Sequence, residues 1–344
     1  MRDGLARYHR QMLLPGWGQD AQQRLANASA LVVGVGALGS VSAGLLVRAG
    51  LGRVAVVDRD VVELTNLQRQ MLYTEADVGV PKAEAAAARL RAINSEVTVE
   101  PFTEDVRGER VLELVEGIDI IVDGTDNFET RYVLNDAAVA RGVRMVYGGA
   151  VGTAGTVLPV LPGVGPCLRC LSAELPAATE TCDTAGVLGA VTAIVGARQA
   201  SLALQVLTDM DVPPRLESID GLTGMSRTMD VATLRDAGCM CCGQRRFEFL
   251  ERGDQTAVVL CGRNSVQVSP AGRRKVDARS IAEMLRSHGS FDSEGGVVRG
   301  RFARETGEHG DAIGLFLFGD GRAVVSGTSD PARARAVYAR YIGA

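Results

Sequence analysis

A chain of 344 residues, 46% apolar and 23% charged, is too long for one small domain and has the balance of an ordinary soluble globular protein. A formal net charge of −4 gives no electrostatic reason to expect nucleic acid binding, and the charged start Met1 to Arg7 lacks the apolar stretch of a secretion signal. Aromatic residues are scarce while Ala, Val, Leu and Gly abound, which favours helices packed closely on a parallel sheet over a β-sandwich.

Tyr8 to Arg24 reads as polar helix and loop ahead of the core. Ala30–Val35 is a short β-branched run; the glycine-rich stretch Gly34-Val35-Gly36-Ala37-Leu38-Gly39 and an apolar helical pattern to Gly50 follow. Arg53–Asp58 is the next strand, and Lys82–Ile93 is an Ala-rich helix with Pro81 at its start and Asn94 at its stop. Val97–Phe102, Ile118–Val122 and Val143–Tyr147 are further short apolar runs separated by helical patterns. Strand and helix in alternation predict a doubly wound, mostly parallel, Rossmann-like α/β sheet. Val151–Val160 reads as an antiparallel extension, with Gly152 and Gly155 allowing tight turns.

Val187–Met210 is a long apolar helix, but Arg198, Gln199 and Gln205 interrupt it, so a buried core helix is expected rather than a membrane span. The domain boundary is placed near Gly243: residues 1–243 form the nucleotide-binding unit and 244–344 a small α+β unit. In the latter, Thr256–Leu260 and Ser265–Val268 read as strands and Asp277–Leu285 as a helix. Leu315–Phe318 and Ala323–Val325 make a hairpin around Asp320-Gly321, and Asp330-Pro331 opens a last helix to Ile342.

Gly34, Gly36 and Gly39, between a strand and a helix, present backbone N–H groups to an anion, and Asp58 suits a ribose hydroxyl. Alone this fingerprint says only that a nucleotide binds, with NAD the first guess. Lys82 changes the guess. A cation in the first turn of a helix opposes the macrodipole, as if an anion arrives there to be neutralised; a solvated surface lysine is the plain alternative. Thr125-Asp126-Asn127 ends another strand at the edge where such sheets bind ligands. Asp126 suits Mg²⁺, or else caps the helix that begins near Phe128.

Tyr8-His9-Arg10-Gln11, the glycine loop, Asp58-Arg59-Asp60, Asn66-Leu67-Gln68-Arg69-Gln70, Lys82, Thr125-Asp126-Asn127 and Arg131 stand in the order found in the MoeB/ThiF family, prokaryotic relatives of ubiquitin-activating enzymes, which residues 5–243 resemble. The resemblance implies ATP with Mg²⁺: Asp58 on the ribose with Asp60 beside it, Asn66, Arg69, Gln70 and Lys82 around the triphosphate, Asp126 on the metal with Asn127 adjacent, and Arg10 reaching in from the other subunit of a homodimer. It further implies adenylation of the C-terminal carboxylate of a small ubiquitin-like sulfur-carrier protein ending in Gly-Gly, in the cytoplasm. Ala37 departs from the pattern, because the family often has glycine there, and its methyl narrows the approach to the nucleotide. The chemistry suits the residues. A carboxylate is already ionised at neutral pH and needs no general base, in keeping with a chain whose His9, His288 and His309 form no triad. Cation clamps and positioning are what such a step requires.

Of seven cysteines, Cys167 and Cys170 make one C-x-x-C pair and Cys239 and Cys242 a second, the spacing of a closed tetrahedral zinc site, with Cys241 a competing ligand. Cys182 precedes the long helix; the resemblance implies a covalent link to the carrier there, and a spare thiol is the alternative. Cys261 sits in a strand-like run without the glycine-rich anion loop of a rhodanese, so no sulfur-donor domain is expected. Two other classes stay open: an NAD-dependent oxidoreductase, for which Arg10, Arg69 and Lys82 have little use, and a non-catalytic carrier-binding scaffold.

Overall fold

The computed structural model describes residues 3–108, 110–172, 185–251, 257–260, 264–269, 275–294 and 296–343. Cys182 and Cys261 lie outside the described residues. The chain divides into two compact units, Met1–Arg252 and Gly253–Ala344. The division falls beyond Gly243 because Phe249 and Leu250, in the short helix Glu248–Glu251, are buried in the first unit's core.

The first unit holds an eight-stranded sheet in the order β3-β2-β1-β4-β5-β6-β7-β8. Its strands are β1 (Ser29–Val33), β2 (Arg53–Val57), β3 (Thr98–Phe102), β4 (Ile120–Asp123), β5 (Arg144–Val151), β6 (Ala154–Val160), β7 (Arg215–Asp220) and β8 (Ser226–Asp230). The first five run parallel, and β6 to β8 join as an antiparallel extension. Parallel strands covered on both faces are apolar throughout. In β1, Ala30 and Val32 enter one core, with Leu46 and Val47 of helix Gly39–Ala49, while Leu31 and Val33 enter a second, with Leu134 and Ala137 of helix Phe128–Arg141. One strand thus feeds two layers, as its period of two requires.

Helix Lys82–Ile93 ends at Asn94, whose buried amide donates to Tyr8 Oη (2.8 Å) and to the Val47 carbonyl (3.0 Å). Gly50 closes Gly39–Ala49 at φ +84°, where a Cβ would strike the Tyr8 ring. Helix Gly189–Leu207 is long and apolar enough to cross a membrane, yet it buries Val191, Val195, Ala200 and Ala203 in the first core, and Arg198 pairs with Glu217 at 2.6 Å. Gly155 proves to be no turn residue. It lies inside β6, where a Cβ would collide with Val195.

The second unit is a six-stranded antiparallel sheet, β11-β12-β13-β14-β10-β9, built from Ala257–Leu260 (β9), Ser265–Val268 (β10), Gly289–Glu294 (β11), Val297–Thr306 (β12), Ala312–Leu317 (β13) and Ala323–Ser326 (β14). Helices Ala278–Leu285 and Pro331–Tyr341 supply Leu285, Val337 and Tyr338 to a core with Val266, Phe302, Leu315 and Val325.

Candidate nucleotide site and metal centre

The strand order reverses direction at β1, so the carboxyl ends of β1 and β4 open a crevice. The glycine loop lies there. Gly34 has φ +79°, and a Cβ on it would stand 2.7 Å from the Gly124 carbonyl oxygen; one on Gly39 would overlap the Gly34 carbonyl. Those two glycines are explained by the protein itself. Gly36 is not: a Cβ there would meet only the Gln70 amide at 3.6 Å, so the open space beside it fits a close-approaching ligand. Ala37 is half-buried against the first core.

Asp58 follows β2 and is buried, accepting from the N–H of Val35 (2.8 Å) in the glycine loop and from Asp60 N–H (2.8 Å). Burial pushes its carboxyl above the ordinary range, with Lys82 pulling the other way. Lys82 is 3% exposed, not a solvated surface lysine, and its Nζ stands 3.2 Å from Asp60 Oδ2. The bridge Val61 to Pro81 and the bond from Val62 N–H to Val80 (2.8 Å) hold that helix start beside the end of β2. Arg59 reaches Asp105 at 3.4 Å; burial works against its charge, but Asp105, Asp60, Asp126 and Asp58 together raise its pKa and keep it cationic.

Asn66 and Gln70 are buried. Asn66 Oδ1 accepts from Glu63 N–H (3.1 Å) and so caps the turn Leu64–Asn66, while Gln70 Oε1 has no hydrogen-bond partner among the described residues. Arg69, half-buried, donates to the Thr65 carbonyl at 3.1 Å. Gly189, at the start of its helix, abuts this loop: a Cβ would stand 2.8 Å from the Gln68 carbonyl.

At the end of β4 the capping alternative for Asp126 fails. Asn127 is the N-cap, its Oδ1 accepting from Thr130 N–H at 2.8 Å, which leaves Asp126 exposed. A solvent-facing carboxylate at this edge suits a hard, partly hydrated cation. Beneath it, Gln199 donates to the carbonyls of Asp123 (2.7 Å) and Val146 (3.3 Å), and Gly148 leaves the notch it occupies, since a Cβ there would stand 2.5 Å from the amide. Neither Asp123 nor Gln199 was singled out as a site residue by pattern, although an acid ending the apolar run Ile120–Val122 is a visible signal.

Arg10 does not join this cluster. It is exposed on helix His9–Met12, whose Gln11 donates to the Ala49 carbonyl (3.1 Å) at the far end of Gly39–Ala49 from the glycine loop. Ten residues of helix put about 15 Å between those ends.

The cysteine pairs do converge. Cys167 Sγ lies 3.9 Å from Cys170 and 3.7 Å from Cys239, and Cys170 lies 3.3 Å from Cys242. Four sulfurs about 2.3 Å from one tetrahedral zinc stand about 3.8 Å apart, so the set fits that ion. Cys241 is left out of the ligand set: it is buried, and the Asn135 amide donates to its sulfur at 3.3 Å. A hydrogen bond from Cys241 holds the Cys167 thiol down to about 4 against the cost of burial. Asn135 also accepts from Leu168 N–H (2.8 Å), and Asp136 accepts from Phe249 N–H (3.1 Å), so one helix anchors both cysteine-bearing segments and the unit's last turn.

Residues 8–241 match the ThiF family. This chain belongs to that family. A Bacillus subtilis relative, the sulfur carrier protein ThiS adenylyltransferase, is 43% identical over 98% of this chain and 99% of its own length. The sulfur carrier protein adenylyltransferase of Thermus thermophilus is 44% identical over 70% of this chain and 92% of its own. Among solved structures, E. coli MccB bound to MccA-N7isoASN aligns with a TM-score of 0.62 at 23% identity, over 70% of this chain and 74% of that one, which supports the fold.

Proposed function

We propose that this protein uses ATP to adenylate the C-terminal carboxylate of a small sulfur-carrier protein, releasing pyrophosphate. The observation that carries the reading is the gathering of Gly36, Asp58, Lys82 and Asp126 at the carboxyl ends of β1, β2 and β4 in a chain 43% identical, end to end, to a carrier adenylyltransferase. None of the relatives reported supports an oxidoreductase or a scaffold.

Asp58 orients the ribose, and the glycine-loop N–H groups face the phosphates. Lys82, held by Asp60, and Arg69 offset the charge that builds on departing pyrophosphate; Asn66 and Gln70 shape the wall beside them. Asp126 holds Mg²⁺, which when bound neutralises phosphate charge. The incoming carboxylate, from a carrier ending in Gly-Gly, attacks the α-phosphorus without a general base, and no enzyme thiol enters this step. Zinc at Cys167, Cys170, Cys239 and Cys242 is structural, with no open coordination position. A cytoplasmic location suits a zinc-bound thiolate site of this kind.

The test is carrier-dependent ATP–pyrophosphate exchange. Arg69→Ala and Asp126→Ala should each lower the rate roughly 10²- to 10³-fold; full activity in Asp126→Ala removes that residue from the mechanism. Any covalent step at Cys182 would appear as a carrier adduct by mass spectrometry under non-reducing conditions.

Arg10 serves the neighbouring subunit of a homodimer. Its distance from its own chain's site supports this, as do the exposed Leu13 and Leu14 (69% and 54%), beside a depression of about 610 Å³ that Leu14 lines with Trp17, Leu45 and Leu204. An equal mixture of Arg10→Ala and Asp126→Ala subunits should recover about a quarter of wild-type exchange, because half the dimers then hold one intact composite site. No recovery places Arg10 outside the reaction.

A further inference from the structure

Arg131 lies on helix Phe128–Arg141 and is 7% exposed. Its guanidinium sits 4.9 Å from the Phe128 ring centroid and 5.3 Å from that of Tyr147. It donates through Nη2 to the Thr125 carbonyl at 2.9 Å. The other side of Thr125 is also held: Asp123 Oδ1 accepts from its N–H (2.9 Å) and its hydroxyl (2.7 Å). Asp123 and Arg131 approach each other only to 3.8 Å, and neither Asp123 Oδ2 nor Arg131 Nε has a hydrogen-bond partner among the described residues. Both groups spend their bonds on Thr125 rather than on each other.

The neighbours on either side are fixed as well. Gly124 donates to the Val33 carbonyl (2.8 Å), and Asn127 caps the helix. Within the run 124–127, Asp126 alone is exposed, on a backbone held at the flanking residues.

We propose that Arg131, with Asp123, is a positioning residue that fixes where the Asp126 carboxylate stands, and so sets the metal response of the nucleotide site. Arg131 acts through the Thr125 carbonyl. The inference rests on the assignment of Asp126 to Mg²⁺. A planar fork that lies over two rings while it donates to a carbonyl is not reproduced by an ammonium, so Arg131→Lys keeps the charge and loosens the clamp.

The experiment uses the full-length protein. Binding of a non-hydrolysable ATP analogue is measured by calorimetry in EDTA and across a Mg²⁺ titration, alongside exchange over the same titration. In Arg131→Lys, the Mg²⁺ concentration giving half-maximal tightening should rise about tenfold or more, with binding in EDTA unchanged. Thr125→Val, which removes only the hydroxyl bond to Asp123, should move it the same way by roughly threefold. A wild-type metal response in Arg131→Lys overturns the proposal, as does failure of both variants to fold, which would make the clamp a stability element alone. Asp126→Ala separates the two levels. If it keeps the wild-type metal response, the metal assignment falls and this inference with it; if it loses that response while Arg131→Lys keeps it, the assignment stands and the positioning role falls.

Discussion

Each unit buries a carboxylate beside arginine, and the two are treated in opposite ways. Glu305, 5% exposed in the second unit, is fully engaged: Oε1 accepts from Arg340 (2.6 Å) and the Tyr341 hydroxyl (2.8 Å), and Oε2 from Arg333 (2.6 Å). Asp123, fully buried in the first unit, keeps one oxygen without a partner among the described residues and its arginine at 3.8 Å. Burial raises both pKa values. For Glu305 the Tyr341 hydroxyl, Arg333 and Arg340 more than reverse it, and its carboxyl ends below the ordinary range; for Asp123 burial prevails and the carboxyl ends above it. A closed network stabilises. An incompletely satisfied one at a ligand-binding edge is shaped by the backbone it must hold.

Zinc sets the scale against which both carboxylates are read, and its loss is the largest effect expected. Cys170→Ser, or strong chelation, should lower the first unit's thermal transition by about 10 °C or more and leave the second unit's in place. Elemental analysis showing no zinc in protein purified without chelator would defeat the prediction.

Glu305→Gln should cost the second unit about 2 kcal/mol, since it removes the buried charge that accepts from Tyr341, the half-exposed Arg333 and the exposed Arg340, and should leave ATP binding unchanged. Calorimetry that follows the two transitions separately checks this. The pH slopes of the two units should also differ in sign. Glu305 titrates lower folded than its ordinary 4.5, so its contribution is present above that value and lost as pH falls through the lower one. Asp123 titrates higher folded than its ordinary 3.8, so its contribution is present below that value and lost as pH rises through the higher one.

The smallest effect on stability is expected from Asp123→Asn. An amide removes a buried charge that is poorly paired while keeping its shape, so the change should stay within about 1 kcal/mol, yet exchange should fall because Thr125 is held less well. A loss as large as that of Glu305→Gln would erase the contrast between the units.

The parallel half of the first sheet was legible because strands covered on both faces must be apolar, as Arg53–Val57 is, and helix Lys82–Ile93 was visible from its Ala-rich run between Pro81 and Asn94. The hairpin β7–β8 was not, because Ser226–Asp230 is exposed along its whole length and carries no hydrophobic alternation. Strands β11 and β12 escaped for a related reason, with Arg299 bonded to Asp292 and Glu294 across a polar face. In the site, Asp58 and Asp126 were visible because they follow strand ends, and Lys82 because it stands in the first turn of a helix. Spacing could not assign the cap to Asn127 over Asp126, since either side chain can cap and only the backbone's direction separates them, whereas the C-x-x-C spacing pointed to Cys242 over its rival Cys241, and Cys242 is the residue in the cluster. Gln199 was noticed only as a polar interruption in a long helix. Its two carbonyl partners lie on other strands, far away in sequence.

The notch that Gly148 leaves for the Gln199 amide also constrains how this protein can change. Alanine at 148 collides with the amide while glutamine remains at 199, whereas a shorter residue at 199 gives up two hydrogen bonds but leaves no collision. The two positions are therefore coupled: a side chain at 148 pushes the Gln199 amide off its two carbonyls, a cost that disappears once 199 is shortened. Among related chains, a side chain at the first position should accompany a shorter residue at the second more often than a glutamine.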